Sequence, residues 1–389
     1  MRAVVPLLFT CLASSGAAQS CGGPLSTFVE GVTVEAATQG IPADVSEQFF
    51  RGASIDDAVL RADRAQGVFQ KDFIAFSRAL ISQNRIDNGR IYGDRFDRTF
   101  DRIEAEFGIP RGVLLAFWAF ETDFGQVQGN FNTRNALLTL AHDCRRPELF
   151  RPQLIAAIEL FSRGEFNPRT TTGAWAGEIG QVQMLPKDII ENGMDGDGDG
   201  TVDLKGSSPD ALMSGAKVLS SLGWRANQPW LQEIRVPDDL DWSLTGLNKK
   251  RSVSDWAALG VTARQGSLAA GDLEAAVLLP MGRNGPAFLA YPNFDVYFEW
   301  NKSLVYVTTA AYFGTRLMGA PVYDAGQPSA ALSGDQIKAL QTKLEARGFD
   351  VGGVDGILGA KTRDAVQTEQ QRLGLPADAW PTLDLLNAL

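Results

Sequence analysis

Apolar residues recur on a helical period through most of the chain from about residue 24 to residue 320. The spacing predicts helices over 46–51, 56–64, 72–83, 95–107, 113–124, 135–141, 153–163, 210–222 and 304–318. Between 230 and 300 the pattern is mixed: Trp230, Trp242 and Trp256 alternate with Pro, Asp and Gly, and short strands are expected around 277–279 and 288–290. The stretch from Gly319 to Ser329 is rich in small residues and proline and reads as a connection between folding units. Beyond it, Ser333 with Gln336 three residues later forms a capping-box signature ahead of Ile337, Leu340 and Leu344. A glycine-rich loop over 352–359 and helices over 361–373 and 382–389 complete a small three-helix unit. The expected fold is mainly α: a helical body with a small β-containing lobe, followed by a three-helix C-terminal domain.

One helix departs from the amphipathic rule. Leu114-Leu115-Ala116-Phe117-Trp118-Ala119-Phe120 is apolar on every side, follows Pro110, a residue suited to a first helical turn, and ends at Glu121. Leu114, Phe117 and Trp118 share a face with Glu121, so the carboxyl projects among apolar and aromatic side chains. Burial there raises a carboxyl pKa, which suits a general acid. The alternative is a structural Glu paired with Arg145 or Arg146, and the helix alone does not separate the two.

Composition narrows the chemistry. The chain has 389 residues, 44% hydrophobic, enough for two or three folding units. It carries 46 acidic against 36 basic residues, net charge −10, with no Lys/Arg-rich run, so nucleic acid is not an expected partner. A single histidine excludes His-clustered metal sites and leaves carboxylates as the default acid and base. Arg2, an apolar stretch from Val4 to Ala13 and small residues over 14–18 form a secretory signal over residues 1–20, cleaved after Ala18 or Ser20. Export discards Cys11 and leaves Cys21 and Cys144, for which a single disulfide is expected, with two free thiols as the alternative. Ala18-Gln19-Ser20 lacks the Leu usual before a lipidated cysteine, and no later segment reaches about 20 unbroken apolar residues, so no transmembrane segment is expected.

Two further segments carry candidate chemistry. In Gly173-Ala174-Trp175-Ala176-Gly177-Glu178-Ile179-Gly180-Gln181-Val182-Gln183-Met184-Leu185-Pro186 the glycines allow close backbone approach, and Gln183 is a polar group among apolar neighbours, suited to a hydroxyl or acetamido ligand. With a buried Glu and tryptophans nearby, the combination suggests a sugar cleft. The run Asp195-Gly196-Asp197-Gly198-Asp199-Gly200-Thr201 matches a calcium loop, with carboxylates at Asp195, Asp197 and Asp199, the required glycine, and the carbonyl of Thr201. Gly206 stands where that loop has its closing Glu, so Asp210 is the expected substitute ligand. A Ca²⁺ bound there would be structural, with no evident route to the chemistry, which itself requires no cofactor.

These segments together, with Phe120-Glu121-Thr122-Asp123-Phe124-Gly125 and Cys144-Arg145-Arg146-Pro147, resemble the lytic murein transglycosylase B family over roughly residues 24–320. The tail resembles a three-helix peptidoglycan-binding domain through Leu340-Gln341, Leu344, Val354-Asp355-Gly356, Gly359, Thr362, Ala365-Val366 and Gly374-Leu375. The resemblance implies a lysozyme-like helical catalytic domain over 21–320, a linker over 321–331 and a peptidoglycan-binding domain over 332–389. It implies a periplasmic enzyme that cleaves the MurNAc–GlcNAc bond of glycan strands to leave a 1,6-anhydro-MurNAc end, with Glu121 as acid and then base. Gln183 matches a glutamine of the sugar site, and Asn301 and Tyr306 match residues near the catalytic Glu. Gln181 stands in the place of a substrate-site aromatic and Trp300 in the place of a tyrosine; Ala174 replaces a serine. Glu369 occupies a usual Phe position, which should weaken that helix's packing.

Two other readings stay open. A muramidase-type hydrolase needs a second carboxylate, for which Glu178 is the better candidate because Asp123 faces about 200° away from Glu121 around the helix. A non-catalytic cell-wall protein would use the cleft only to hold glycan.

Overall fold

The computed structural model describes residues 21–65 and 71–389; the expected export signal over 1–20, with Cys11, lies outside the described residues. Seventeen α-helices and two small antiparallel sheets make up these residues. The apolar helix spans Arg111–Thr122 and buries nine of its residues. It lies at the centre of the molecule, packed along Leu304–Leu317 and flanked by Gln83–Arg95, Asp97–Phe107 and Ser208–Ser221. A helix enclosed on all sides need not be amphipathic, which is why this run carries no polar face.

The structure separates the expected 72–83 element into Phe73–Leu80 and a new helix, Gln83–Arg95, which starts where Ser82 accepts a hydrogen bond from Arg85 N. The second is mostly polar and reads as loop in the sequence. It packs through Gly89, where an added Cβ would stand 2.5 Å from Leu317 Cδ2. Leu25–Thr38, Pro186–Asn192 and Pro292–Trp300 are further helices that periodicity did not indicate.

A second core joins Leu25–Thr38, Ala43–Phe50, Thr133–His142 and Pro147–Ser162 around Phe28, Phe49 and Leu154. Cys21 and Cys144 are disulfide-bonded and tie the start of the described chain to this lobe. The β lobe is a five-stranded antiparallel sheet in the order Arg251–Ser252, Glu274–Leu278, Phe288–Ala290, Leu231–Arg235, Thr262–Ala263. Trp224, Trp230 and Trp256 are buried and donate their indole N–H to backbone carbonyls, so they serve the core.

The C-terminal helices Gly334–Glu345, Ala360–Arg372 and Leu383–Ala388 enclose their own core, and the Ser333–Gln336 capping box is formed. This unit is seated on the β lobe. Arg363 Nη2 donates to Pro280 O at 2.7 Å, and Gln367 Nε2 donates to the carbonyls of Trp242 (3.0 Å), Thr245 (2.9 Å) and Ala377 (2.8 Å). The connecting stretch is held as well: Tyr323 is buried among Phe73, Phe288 and Tyr312. Glu369 does not leave the helix poorly packed. Its buried carboxylate accepts from Arg372 at 2.8 Å and lies 3.7 Å from Arg347, so an ion pair takes the place of an aromatic ring.

Candidate active site

Glu121 occupies the last turn of its helix. Asp123 and Phe124 both have positive φ, so the chain reverses directly after the carboxyl, and Asp123 is drawn aside by Arg85 (3.0 Å). Tyr306 OH donates to Glu121 Oε1 at 2.6 Å and Trp300 Nε1 donates to the same oxygen at 2.9 Å. Among the described residues Oε2 has no hydrogen-bond donor, so one oxygen is gripped and the other is free. Burial raises the Glu121 pKa, and the bonds from Tyr306 and then Trp300 pull it back only in part. The carbonyl end of the helix acts in the same direction as burial, because a negative charge is disfavoured there. Arg145 and Arg146 both pair with the buried Asp63 and do not neutralise Glu121.

The aromatic wall is continuous: Trp300 lies 4.5 Å from Phe117 and Tyr306 lies 5.9 Å from Phe120, centroid to centroid. Asn301 follows Trp300 but makes no bond to Glu121. Its side chain accepts from Ser303 N (2.9 Å), fixing the turn before Leu304–Leu317. Asn301 lines a cavity of about 640 Å³ between this turn and the C-terminal unit, together with Lys302, Ser303, Arg363 and Trp380.

The glycine-rich segment forms a tight hairpin closed by reciprocal bonds between Ile179 and Met184 (2.8 and 3.0 Å). Gly180 has φ +84° and sits so close to Leu204 that a Cβ would fall 2.6 Å from it, a position no other residue fills. Gln183, also at positive φ, ties its amide nitrogen to Gly180 O (2.7 Å), leaving its Oε1 free for a ligand. Gln181 corrects the sequence reading. It is 4% exposed and its amide is spent on Lys205 O (3.2 Å) and Ser208 Oγ (3.0 Å), so it points into the protein and does not line the cleft. Gln181 and Gln183 lie two residues apart in the same turn, but the approach of residues 204–208 covers only Gln181.

Glu178 has a buried Oε2 without a partner. Burial pushes its carboxyl up to about 7; its own N–H and that of Ala176 pull it down, the charge of Glu121 pushes it further up, and Arg146 lowers it. Two groups had no sequence signal beyond adjacency. Thr122 and Lys205 hold the site's framework, the latter donating Nζ to Thr172 O (2.5 Å) and Oγ1 (2.7 Å).

In the aspartate loop, ligand oxygens of Asp195, Asp197 and Asp210 lie within 4.8 Å of one another. Asp210 is buried and accepts from Gly196 N (2.8 Å), Asp197 N (3.3 Å) and Asp203 N (2.7 Å), so it closes the loop from outside the motif. Asp199 lies outside that trio and accepts from Thr201 N (2.8 Å) and Oγ1 (2.7 Å). Three converging carboxylates are the hard-oxygen donor set that suits Ca²⁺.

Comparison with known proteins follows the two units. The profile of the transglycosylase SLT domain family matches residues 25–315, and that of the putative peptidoglycan binding domain matches 333–389. Membrane-bound lytic murein transglycosylase B of Escherichia coli K12 is 24% identical over 244 residues, 62% of this chain and 66% of that protein's length. SltB3 of Pseudomonas aeruginosa, solved in complex with NAG-anhNAM-pentapeptide and with NAG-NAM-pentapeptide, superposes with a TM-score of 0.85 at 34% identity, covering 94% of this chain and 99% and 100% of those chains. Escherichia coli Slt35 in complex with calcium shares the fold, with a TM-score of 0.65 at 23% identity over 78% of this chain and 97% of that one.

Proposed function

The chain belongs to the transglycosylase SLT domain family, and on that premise we propose that it cleaves the β-1,4 bond between MurNAc and GlcNAc of peptidoglycan without water, leaving a 1,6-anhydro-MurNAc end. The observation that carries this reading is the Glu121 carboxyl, with a raised pKa, one oxygen held by Tyr306 and Trp300 and the other free. Protonated Glu121 gives its proton to the glycosidic oxygen as the C1–O4 bond breaks, releasing the GlcNAc 4-hydroxyl. The resulting carboxylate takes the proton of the C6 hydroxyl of the same MurNAc while O6 bonds to C1, which restores the acid. Nothing is consumed, and attack from within the same sugar has a large effective molarity, so no enzyme nucleophile is needed. Tyr306 and Trp300 stabilise the carboxylate between the two transfers. The free Oε1 of Gln183 is our candidate acceptor for a sugar hydroxyl or amide N–H, and the turn at Asn301 shapes the neighbouring wall. The SltB3 complexes, at 34% identity, support a muropeptide ligand for the cleft.

We assign residues 1–20 to export, 21–320 to catalysis, 321–331 to the connection and 332–389 to binding peptidoglycan glycan strands. The protein then acts in the periplasm. Among the described residues no helix is long and apolar enough to cross a membrane. Cys21, bonded to Cys144, offers no free thiol for a lipid. Asp195, Asp197 and Asp210, with Asp199 and the Thr201 carbonyl, would hold a Ca²⁺ whose contribution is to cross-link the loop; the chemistry does not pass through it.

Digestion of purified sacculi followed by mass spectrometry tests the proposal. Muropeptides lighter by one water than their reducing-end counterparts are expected. Hydrated products would favour hydrolysis, for which Glu178, with one buried carboxyl oxygen lacking a partner, is the candidate second carboxylate.

A further inference from the structure

Glu121 is followed by a buried threonine whose hydroxyl makes two strong bonds. Thr122 Oγ1 donates to Gln181 O at 2.5 Å and accepts from Gly125 N at 2.9 Å, joining the end of the Glu121 helix to the hairpin and to its own reversed chain. Gln181 in turn spends every polar group it has. Its N–H donates to Leu204 O (2.9 Å), its Nε2 to Lys205 O (3.2 Å), and its Oε1 accepts from Ser208 Oγ (3.0 Å). Residues 204–208 follow the aspartate loop, and the bond from Asp203 N to Asp210 (2.7 Å) holds the chain just before them. A second strut runs in parallel: Gln128 Nε2 donates to Gly125 O (3.0 Å) and to Lys205 O (3.1 Å).

We propose that Thr122 and Gln181 are positioning residues, a clasp through which the segment behind the aspartate loop sets the place of the Glu121 carboxyl. The loop thus has a path to the chemistry that its sequence did not indicate. The clasp touches no substrate, and it rests on the reading of Glu121 as acid and base. Its bonds are between neutral groups, and the one joining Thr122 to Gln181 is buried, so the geometry they impose does not relax with salt. The carboxyl they position must meet an oxygen within hydrogen-bond reach, where a displacement of about 1 Å costs on the order of 10²-fold in rate.

The test compares Thr122→Val, which keeps the shape and removes the hydroxyl, with Thr122→Ser, which keeps the hydroxyl, using kcat and KM on soluble glycan fragments and the melting temperature. We expect Thr122→Val to lower kcat at least about tenfold with KM changed less than about twofold, and Thr122→Ser to restore kcat to within about threefold, whatever either does to stability. A Thr122→Val kcat within about twofold of wild type, or a Ser variant that recovers stability but not kcat, overturns the clasp. Should Thr122→Val not fold, Ser208→Ala decides: a kcat loss of about threefold or more at constant KM supports the clasp, and an unchanged kcat overturns it. Glu121→Gln in the same assay separates the two ideas. An active Glu121→Gln removes the reading of the site; an inactive one beside a fully active Thr122→Val removes the clasp alone.

Discussion

Replacing Glu121 by glutamine removes the transferable proton and keeps the shape. The amide oxygen still accepts from Tyr306 and Trp300, which stand 2.6 and 2.9 Å from Oε1 in the native protein, so the aromatic wall and the fold should persist. Loss of a general acid and base costs about 10²–10⁴-fold in kcat, equivalent to about 3–5 kcal/mol in the barrier. Stability should move the other way. Because burial holds the Glu121 pKa above the ordinary carboxylate value of 4.5, the protonated carboxyl is the form that favours folding. Its contribution is complete below that ordinary value and is lost as pH climbs through the raised folded value, where a charge must be carried among apolar rings. Glutamine never carries it. The variant should therefore melt at the wild-type temperature near pH 4 and above it at pH 8, while releasing almost no muropeptide from sacculi at either pH. More than about a tenth of wild-type turnover would refute the catalytic assignment. A melting advantage at pH 4 that vanishes at pH 8 would refute the account of the pKa.

Glu178→Gln should keep anhydro products and lose less than about tenfold in kcat, since the proposed chemistry needs one carboxyl; a switch from hydrated to anhydro products in this variant would instead identify Glu178 as the water-activating group. As with Glu121, the stability that Glu178 contributes is lost as pH rises through about 7, so this variant should gain stability relative to wild type above that pH, as read by thermal melts. Ca²⁺ should raise the melting temperature and a chelator should lower it, and Asp210→Ala should remove that response, because it takes away one of three converging carboxylates; identical melts with and without Ca²⁺ would count against the site. Deleting residues 332–389 should lower binding to sacculi in a pull-down and also the melting temperature, because it uncovers the carbonyls of Leu279 and Pro280 that accept from Arg363 and those of Trp242 and Thr245 that accept from Gln367. An unchanged melt would mean the seated tail adds nothing to the rest of the molecule.

Local pattern alone identified the elements whose physics is local. The run from Leu114 to Phe120 reads as a buried helix, but whether the carboxyl at its end is a raised-pKa acid or pairs with Arg145 or Arg146 was decided by the structure, which gives both arginines to Asp63. Ser333 with Gln336 had to cap a helix, and the ordered motifs were specific enough to indicate the family. Periodicity missed Gln83–Arg95 because its buried side is largely glycine, Gly93 lying against Leu115 and Gly89 against the distant Leu317, and a polar helix packing through glycine has little apolar stripe to detect. The composition of 319–329 suggested a loose connection, yet Tyr323 finds three aromatic neighbours that the segment itself does not contain. The site divides in the same way. Glu121 is legible, whereas the donors that hold it come from 179 and 185 residues away, and no spacing rule reaches so far. Gln181 and Gln183 are two residues apart and look equivalent as sequence. Tertiary packing decided between them, because the segment after the aspartate loop covers one and leaves the Oε1 of the other without a partner. Hydrogen-bond demand of buried groups is met by whichever chain arrives, and which chain arrives is a property of the whole fold.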